Sequence, residues 1–452
     1  MSTLLFERSL PRFAAARVAS AFGSGKGAGV GPLRLVERDE PELPAPGWVH
    51  VDPLLSGICG SDLATLDGRS SHYFEDIVSF PFVPGHEVVG IVRDETPGAG
   101  GTALAAGSRV VLQPVLGCAA RGIEPPCPAC AAGQVGNCGR VAFGHLRPGL
   151  QTGFCAETGG GWSSSGLVAH SSQLYAVPDA LSDADAVTVE PTACAVHAVL
   201  GAPIEHGDVV AVLGAGTLGL LVTAALSHLS VAGRCATPSA VLVGARYAHQ
   251  QRLARELGAG EALPSDQLAR AVRRRSHSLS YGGSPGTTTT LSGGADVVLD
   301  CVGSPESIAQ ALAMVRPRGT VSLVGMPGKV TVDLAPLWHR EVRLAGAYAY
   351  GIEPERDVHP AVPTFSLAFE VAAAQRTGRL VSATYPLTRF EDAVAHAGAA
   401  GRRGAVKIAF DVRHPGLGTE RHGGQRRAGR RPAGPNERPA RTSTQRGKGP
   451  AR

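Results

Sequence analysis

Between Asp208 and Arg234 the chain carries no Asp, Glu, Lys or Arg. An apolar run of that length could cross a bilayer, which takes about 20 residues. Gly214, Gly216 and Gly219 interrupt it near its start, however, and His228 lies inside it. The pattern predicts instead a buried strand at Val209–Leu213, a glycine turn and a buried helix. A second apolar run, residues 239–243, leads into the polar helical segment YAHQQRLARELGA. The alternation then repeats: residues 295–301 read as a strand, 306–315 as a helix and 319–325 as another strand. Such alternation predicts an α/β domain built on a doubly wound parallel sheet. The Ser/Thr/Gly-rich stretch 276–294 reads as a surface loop, and residues 3–6 (TLLF) as a first strand.

With 452 residues the chain has room for two or three domains, and 43% hydrophobic with 18% charged residues is a globular composition. The net charge of +5 changes meaning once it is located. Residues 413–452 carry 11 Lys+Arg against 2 Asp+Glu, while the remainder carries 32 against 36. That terminal segment has one large aliphatic residue, Leu417, with many Gly and Pro and no periodicity. It predicts a disordered basic tail. No aromatic residues interleave with its arginines for base stacking, so no nucleic-acid partner is expected, and no membrane partner either. No secretory apolar segment opens the chain, although Arg8, Arg12 and Arg17 give the start a faint likeness to a transit peptide. The expected location is the cytoplasm, where cysteines more often bind metal or catalyse than form disulfides. There are nine of them.

Candidate chemistry begins at the glycine turn. Gly214, Gly216 and Gly219, with Ala215, Thr217 and Leu218 between them, follow a buried strand and open a helix. The first glycine permits the turn, the second lets backbone approach a pyrophosphate, and the third lets the helix pack on the strand. The helix N-terminus offers free N–H groups to the phosphates. The next strand normally ends in Asp or Glu to hold a ribose 2′-OH, but here Gly244 stands there, with Arg246 two residues on. Loss of the carboxylate and gain of a guanidinium favour NADP(H) over NAD(H). Arg246 could also simply begin a solvated helix.

Two groups in the first half have metal-ligand chemistry. Cys59, in GICGSD, and His86 with Glu87, in PGHEVVG, supply the donor types of a catalytic zinc. On spacing alone they read equally as a buried thiol and a structural His. Cys127, Cys130 and Cys138 sit on a Gly/Pro-rich loop, which is a strong zinc pattern in a cytoplasmic chain. Glu124 continues the spacing and is the expected fourth donor, with the softer Cys118 as its rival. Such a closed site would be structural.

GICGSD, PGHEVVG, the cysteine loop, VEP before a helix and the glycine fingerprint occur in the order found in zinc-containing alcohol dehydrogenases. Across residues 30–412 the chain resembles that family of the medium-chain dehydrogenase/reductase superfamily, in its sorbitol and threonine dehydrogenase branch. The resemblance implies a GroES-like, β-rich catalytic domain split into residues 1–190 and 337–412, around a Rossmann domain at 191–336. It also implies two zinc ions per chain, one catalytic and one structural. Cys59 and His86 match zinc ligands. Glu87 matches a residue that ligates in some conformations only, and Glu190 a carboxylate that binds zinc or holds its water. Ser61 matches the hydroxyl that takes the substrate's proton, but the His that often follows is replaced by Leu63-Ala64-Thr65, which puts the proton's exit in doubt. His197 reads as packing, and Arg340 as a phosphate contact or a solvated charge. The expected activity is hydride exchange between NADP(H) and a secondary alcohol, polyol or amino-alcohol and its carbonyl product. The alternatives are an NAD(H)-dependent enzyme of primary alcohols or aldehydes, and a non-catalytic nucleotide-binding module, which the metal residues argue against. A homodimer or homotetramer is expected.

Overall fold

The computed structural model describes residues 1–282, 289–354 and 359–413. The expected tail therefore lies, except for Arg413, outside the described residues. Strand β1 (Ser2–Phe6) pairs antiparallel with β2 (Leu33–Glu37), and helix α1 (Leu10–Ser20) lies between them in sequence. Then come β3 (Trp48–Gly57), α2 (Gly60–Leu66), β4 (Val88–Val92), β5 (Arg109–Leu112), β6 (Leu167–His170), β7 (Leu174–Ala176) and α3 (Val189–Gly201). The nucleotide half follows as β8 (Val209–Leu213), α4 (Thr217–Val231), β9 (Ala240–Gly244), α5 (Ala248–Glu256), β10 (Glu261–Leu263), β11 (Ala295–Asp300), α6 (Pro305–Met314), β12 (Val315–Leu323) and β13 (Arg343–Gly346). Helix α7 (Thr364–Gln375), β14 (Val381–Tyr385), α8 (Phe390–Gly398) and β15 (Lys407–Asp411) return to the first half.

Two sheets result. The nucleotide sheet is all parallel, in the order β10-β9-β8-β11-β12-β13. The catalytic sheet runs β14-β15-β3-β4-β5-β7, with β6 also paired to β3. Only its β14–β15 pair is parallel. Strand β13 belongs to the nucleotide sheet although it lies beyond residue 336, because residues 320–323 of β12 offer it a free parallel edge. Stretch 276–294 contributes a short ribbon, Ser280–Tyr281 against Thr290–Leu291, and its residues 283–288 lie outside the described ones.

Burial explains most of the uncharged run, although Val231 near its end is exposed. Every residue of β8 is buried. Leu220, Leu221, Ala225 and Leu229 of α4 share a core with Val196 and Val199 of α3 and with Leu367 and Val371 of α7. Each buried Val or Leu contributes roughly 1.5–3 kcal/mol. A helix packed between a sheet and two further helices leaves little surface that tolerates charge. Among the described residues no helix is long and apolar enough to cross a membrane.

Candidate metal centre and cofactor cleft

Cys59 stands at the N-cap of α2, where Asp62 accepts its backbone N–H at 2.9 Å. His86 and Glu87 immediately precede β4, the neighbour of β3. The sheet thus brings two distant segments together: the Cys59 sulfur, a His86 ring nitrogen and a Glu87 carboxylate oxygen lie within 4.8 Å of one another. His86 and Glu87 are buried, and Cys59 is half-buried.

Two residues that spacing did not single out organise this group. Asp62 Oδ1 faces His86 Nδ1 at 3.5 Å, an ion-pair separation in which neither atom has a hydrogen-bond partner. Burial acts to lower the His86 pKa, but Asp62 outweighs it and holds the imidazole well above its usual range. Lys407, on β15, forms a buried ion pair with Glu87 and donates to the Ile58 carbonyl at 3.2 Å. Burial likewise opposes the Lys407 charge, and Glu87 restores it. The pair fits because residue 57 is glycine; a Cβ there would run into the Glu87 carboxylate. No periodicity or motif flags Lys407, since its role depends on β15 lying beside β3.

Glu190, in the first turn of α3, is buried close by but is not one of the three converging donors. Burial pushes its pKa up to about 7, with His86 and Lys407 opposing and Glu87 reinforcing. Cys194, one turn on, has its sulfur 3.7 Å from Glu190 Oε1. Ser61 is half-buried in the first turn of α2, beside Cys59. His197 points elsewhere and pairs with Glu353 at 2.8 Å. The group near Cys59 holds Asp62, Glu87, Glu190 and a thiol against the single buried amine of Lys407. The convergence of one N, one O and one S donor, rather than the net charge, fits a zinc cation.

The cysteine loop departs from expectation. Cys118, Cys127, Cys130 and Cys138 converge within 4.8 Å, and Glu124 is exposed and outside the group. Cys118 sits at the start of a short turn whose chain folds back over Cys127, so its sulfur accepts the Cys127 N–H at 3.3 Å. That position is the one expected of Glu124. The Cys118–Cys138 and Cys127–Cys138 sulfurs are 3.7 and 3.9 Å apart. These are not disulfide lengths. They match the edge of about 3.8 Å expected of a tetrahedron with metal–sulfur bonds near 2.3 Å. Burial acts to raise the Cys127 pKa, but amide donors at Cys130 and Gly139 bring it down to about 6. The lobe is tied together by the buried Arg121, whose guanidinium donates to the carbonyls of Leu116, Phe143, Leu146, Arg147 and Gly149.

In the nucleotide half, Gly216 caps α4 and Thr217 is its first residue. A Cβ on Gly219 would collide with the Gly214 carbonyl, so strand and helix meet closely as the fingerprint requires. Gly244 ends β9, and the exposed Arg246 lies 5.8 Å over the Tyr247 ring. Arg340 is neither a phosphate contact nor a solvated charge. It is buried, and it donates to the carbonyls of Leu312, Leu291 and Gly293, where the chain bends and leaves backbone acceptors inside.

Residues 45–179 match the alcohol dehydrogenase GroES-like domain, and residues 218–366 the zinc-binding dehydrogenase domain. L-idonate 5-dehydrogenase of Vitis vinifera is 30% identical, over 65% of this chain and 71% of that protein. Sorbitol dehydrogenase of Bacillus subtilis is 25% identical, over 78% and 89%. The structure of a zinc-binding dehydrogenase from Sinorhizobium meliloti bound to NADP superposes with a TM-score of 0.59 at 26% identity, over 84% and 95%. With both domains matched in order, three donors converging at Cys59, His86 and Glu87, and the glycine turn in place, the chain belongs to the zinc-containing alcohol dehydrogenases of the medium-chain dehydrogenase/reductase superfamily and is an NAD(P)-dependent oxidoreductase of the alcohol dehydrogenase type.

Proposed function

We propose that this enzyme exchanges a hydride between NADP(H) and a secondary alcohol, of polyol or amino-alcohol type, and its carbonyl product. The observation that carries the cofactor choice is the end of β9. Gly244 leaves no carboxylate to repel a 2′-phosphate, and Arg246 projects into solvent beside it with no ion-pair partner among the described residues. The NADP held by the Sinorhizobium meliloti structure supports the reading. The substrate class draws support from relatives named for sorbitol and L-idonate, both of which carry secondary hydroxyls.

When bound, zinc supplies a Lewis acid for the substrate oxygen, and the nicotinamide supplies the hydride carrier. The chain's own residues do the rest. Cys59 and His86 hold the metal, and Asp62 faces the His86 ring. Glu87 is held back by Lys407, with one carboxylate oxygen left to share, while Glu190 lies buried beside them. Ser61, next to Cys59, accepts the substrate's hydroxyl proton. The free N–H groups at the start of α4 bind the pyrophosphate.

Steady-state rates with both cofactors test the cofactor reading. We expect kcat/KM for NADPH to exceed that for NADH, and Arg246→Ala to lower it by about tenfold or more through loss of a charge-assisted contact. A strong NADH preference in the wild type would sink the reading in favour of an NAD(H) enzyme. A substrate screen across sugars, polyols, amino-alcohols and primary alcohols tests the other half. Metal analysis should find about two zinc per chain. Cys118→Ser should lower that to about one, and Glu124→Gln should leave it unchanged; the opposite pattern would restore Glu124 as the fourth donor.

A further inference from the structure

The segment leading into β15 runs along the nucleotide half. Gly401 lies so close to the Tyr247 ring that a Cβ there would collide with it. The Ala405 carbonyl is 3.3 Å from His249 Nε2, and the Val406 carbonyl accepts from Thr217 Oγ1 at 3.5 Å. These three contacts trace residues 401–406 from the start of α5, where β9 ends, to the start of α4, where the glycine turn ends. In a doubly wound sheet this is the edge along which the adenosine ribose and pyrophosphate of a dinucleotide lie.

Arg402 and Arg403 sit on that segment, and both are exposed. Neither has a carboxylate or carbonyl partner among the described residues, and the same holds for Arg246. Other arginines are neutralised, as Arg93 is by Asp52 and Glu40, and Arg389 by Asp392. No Asp or Glu occurs in residues 399–406 or 244–252, so nothing local answers these charges. Arg402 Nη2 also lies 3.9 Å from where a Cβ on Gly23 would sit, so the loop between α1 and β2 backs it.

We propose that Arg402 and Arg403, from the catalytic half, face the 2′-phosphate of NADP(H) opposite Arg246, so that both halves of the chain select the cofactor. The proposal rests on the NADP(H) reading above. A phosphate dianion offers three acceptor oxygens, more than one guanidinium satisfies, and planar guanidinium forks bind such oxygens in pairs. Two loops that each carry unanswered arginines and touch through Tyr247 and Gly401 supply what Arg246 alone does not.

Calorimetric titration of the full chain with 2′,5′-ADP and with 5′-AMP, neither of which carries nicotinamide, tests this without turnover. Arg402→Ala/Arg403→Ala should weaken 2′,5′-ADP by about tenfold and change 5′-AMP by less than about twofold. Arg402→Lys/Arg403→Lys should recover part of the loss. If the alanine pair does not fold, judged by thermal melting, Arg402→Gln/Arg403→Gln replaces it. Unchanged 2′,5′-ADP binding in the double variant, with binding lost in Arg246→Ala, would overturn the proposal and leave the NADP(H) reading intact. Equal binding of the two probes by the wild type would overturn that reading itself.

Discussion

Cys59→Ala is expected to lower turnover by about a thousandfold or more while leaving NADPH affinity within about twofold, as read by cofactor fluorescence. The rate loss corresponds to several kcal/mol of charge stabilisation at the substrate oxygen. Cys59 supplies the only sulfur among the three donors that converge there, and removing it leaves one nitrogen and one carboxylate already shared with Lys407. The helix behind it should survive, because Asp62 caps α2 through the Cys59 backbone N–H, which alanine retains. The glycine turn and Arg246 lie on other elements and are untouched. Zinc content should fall from about two to about one per chain. An alanine variant that keeps its activity would rule out metal-assisted chemistry at Cys59.

Lys407→Met should be the most damaging single change to stability, by about 3–5 kcal/mol. The methionine keeps most of the volume but leaves the Glu87 carboxylate buried without the amine that pairs with it. Neither side chain is more than 2% exposed, so water cannot replace the lost partner. Glu87→Gln/Lys407→Met should cost less than the sum of the two single changes, because the double variant buries no unpaired charge. Lys407→Arg should be milder than Lys407→Met. Thermal and urea unfolding of the four variants measures this. A Lys407→Met variant within about 1 kcal/mol of the wild type would mean that the pair is relaxed or hydrated in solution.

Both predictions concern one site, yet its members were visible to very different degrees. Cys59, His86 and Glu87 could be named because each lies in a short segment of characteristic chemistry. Lys407 could not, because a single lysine in KIAFD acquires meaning only when β15 pairs with β3. Asp62 was not singled out at all; it accepts the Cys59 backbone N–H at the start of α2 while its second oxygen faces His86. At the cysteine loop regular spacing favoured Glu124, whereas the backbone folds Cys118 into the fourth position. Arg340 reads from sequence as a phosphate contact or a solvated charge and is in fact a buried anchor for three carbonyls.

By itself the sequence determined the parallel nucleotide sheet, because its central strands are buried and so mostly apolar, and the cofactor turn, because Gly214 and Gly219 stand where a Cβ would collide. It also determined the kind of chemistry, through donor types that few other sites need. The tertiary structure alone decided which donors meet, since β3 beside β4 and β15 joins residues hundreds of positions apart. It decided that Lys407 holds Glu87 and that Cys118 completes the sulfur cluster. Those outcomes depend on contacts between elements distant in the chain, and local pattern carries no record of such contacts.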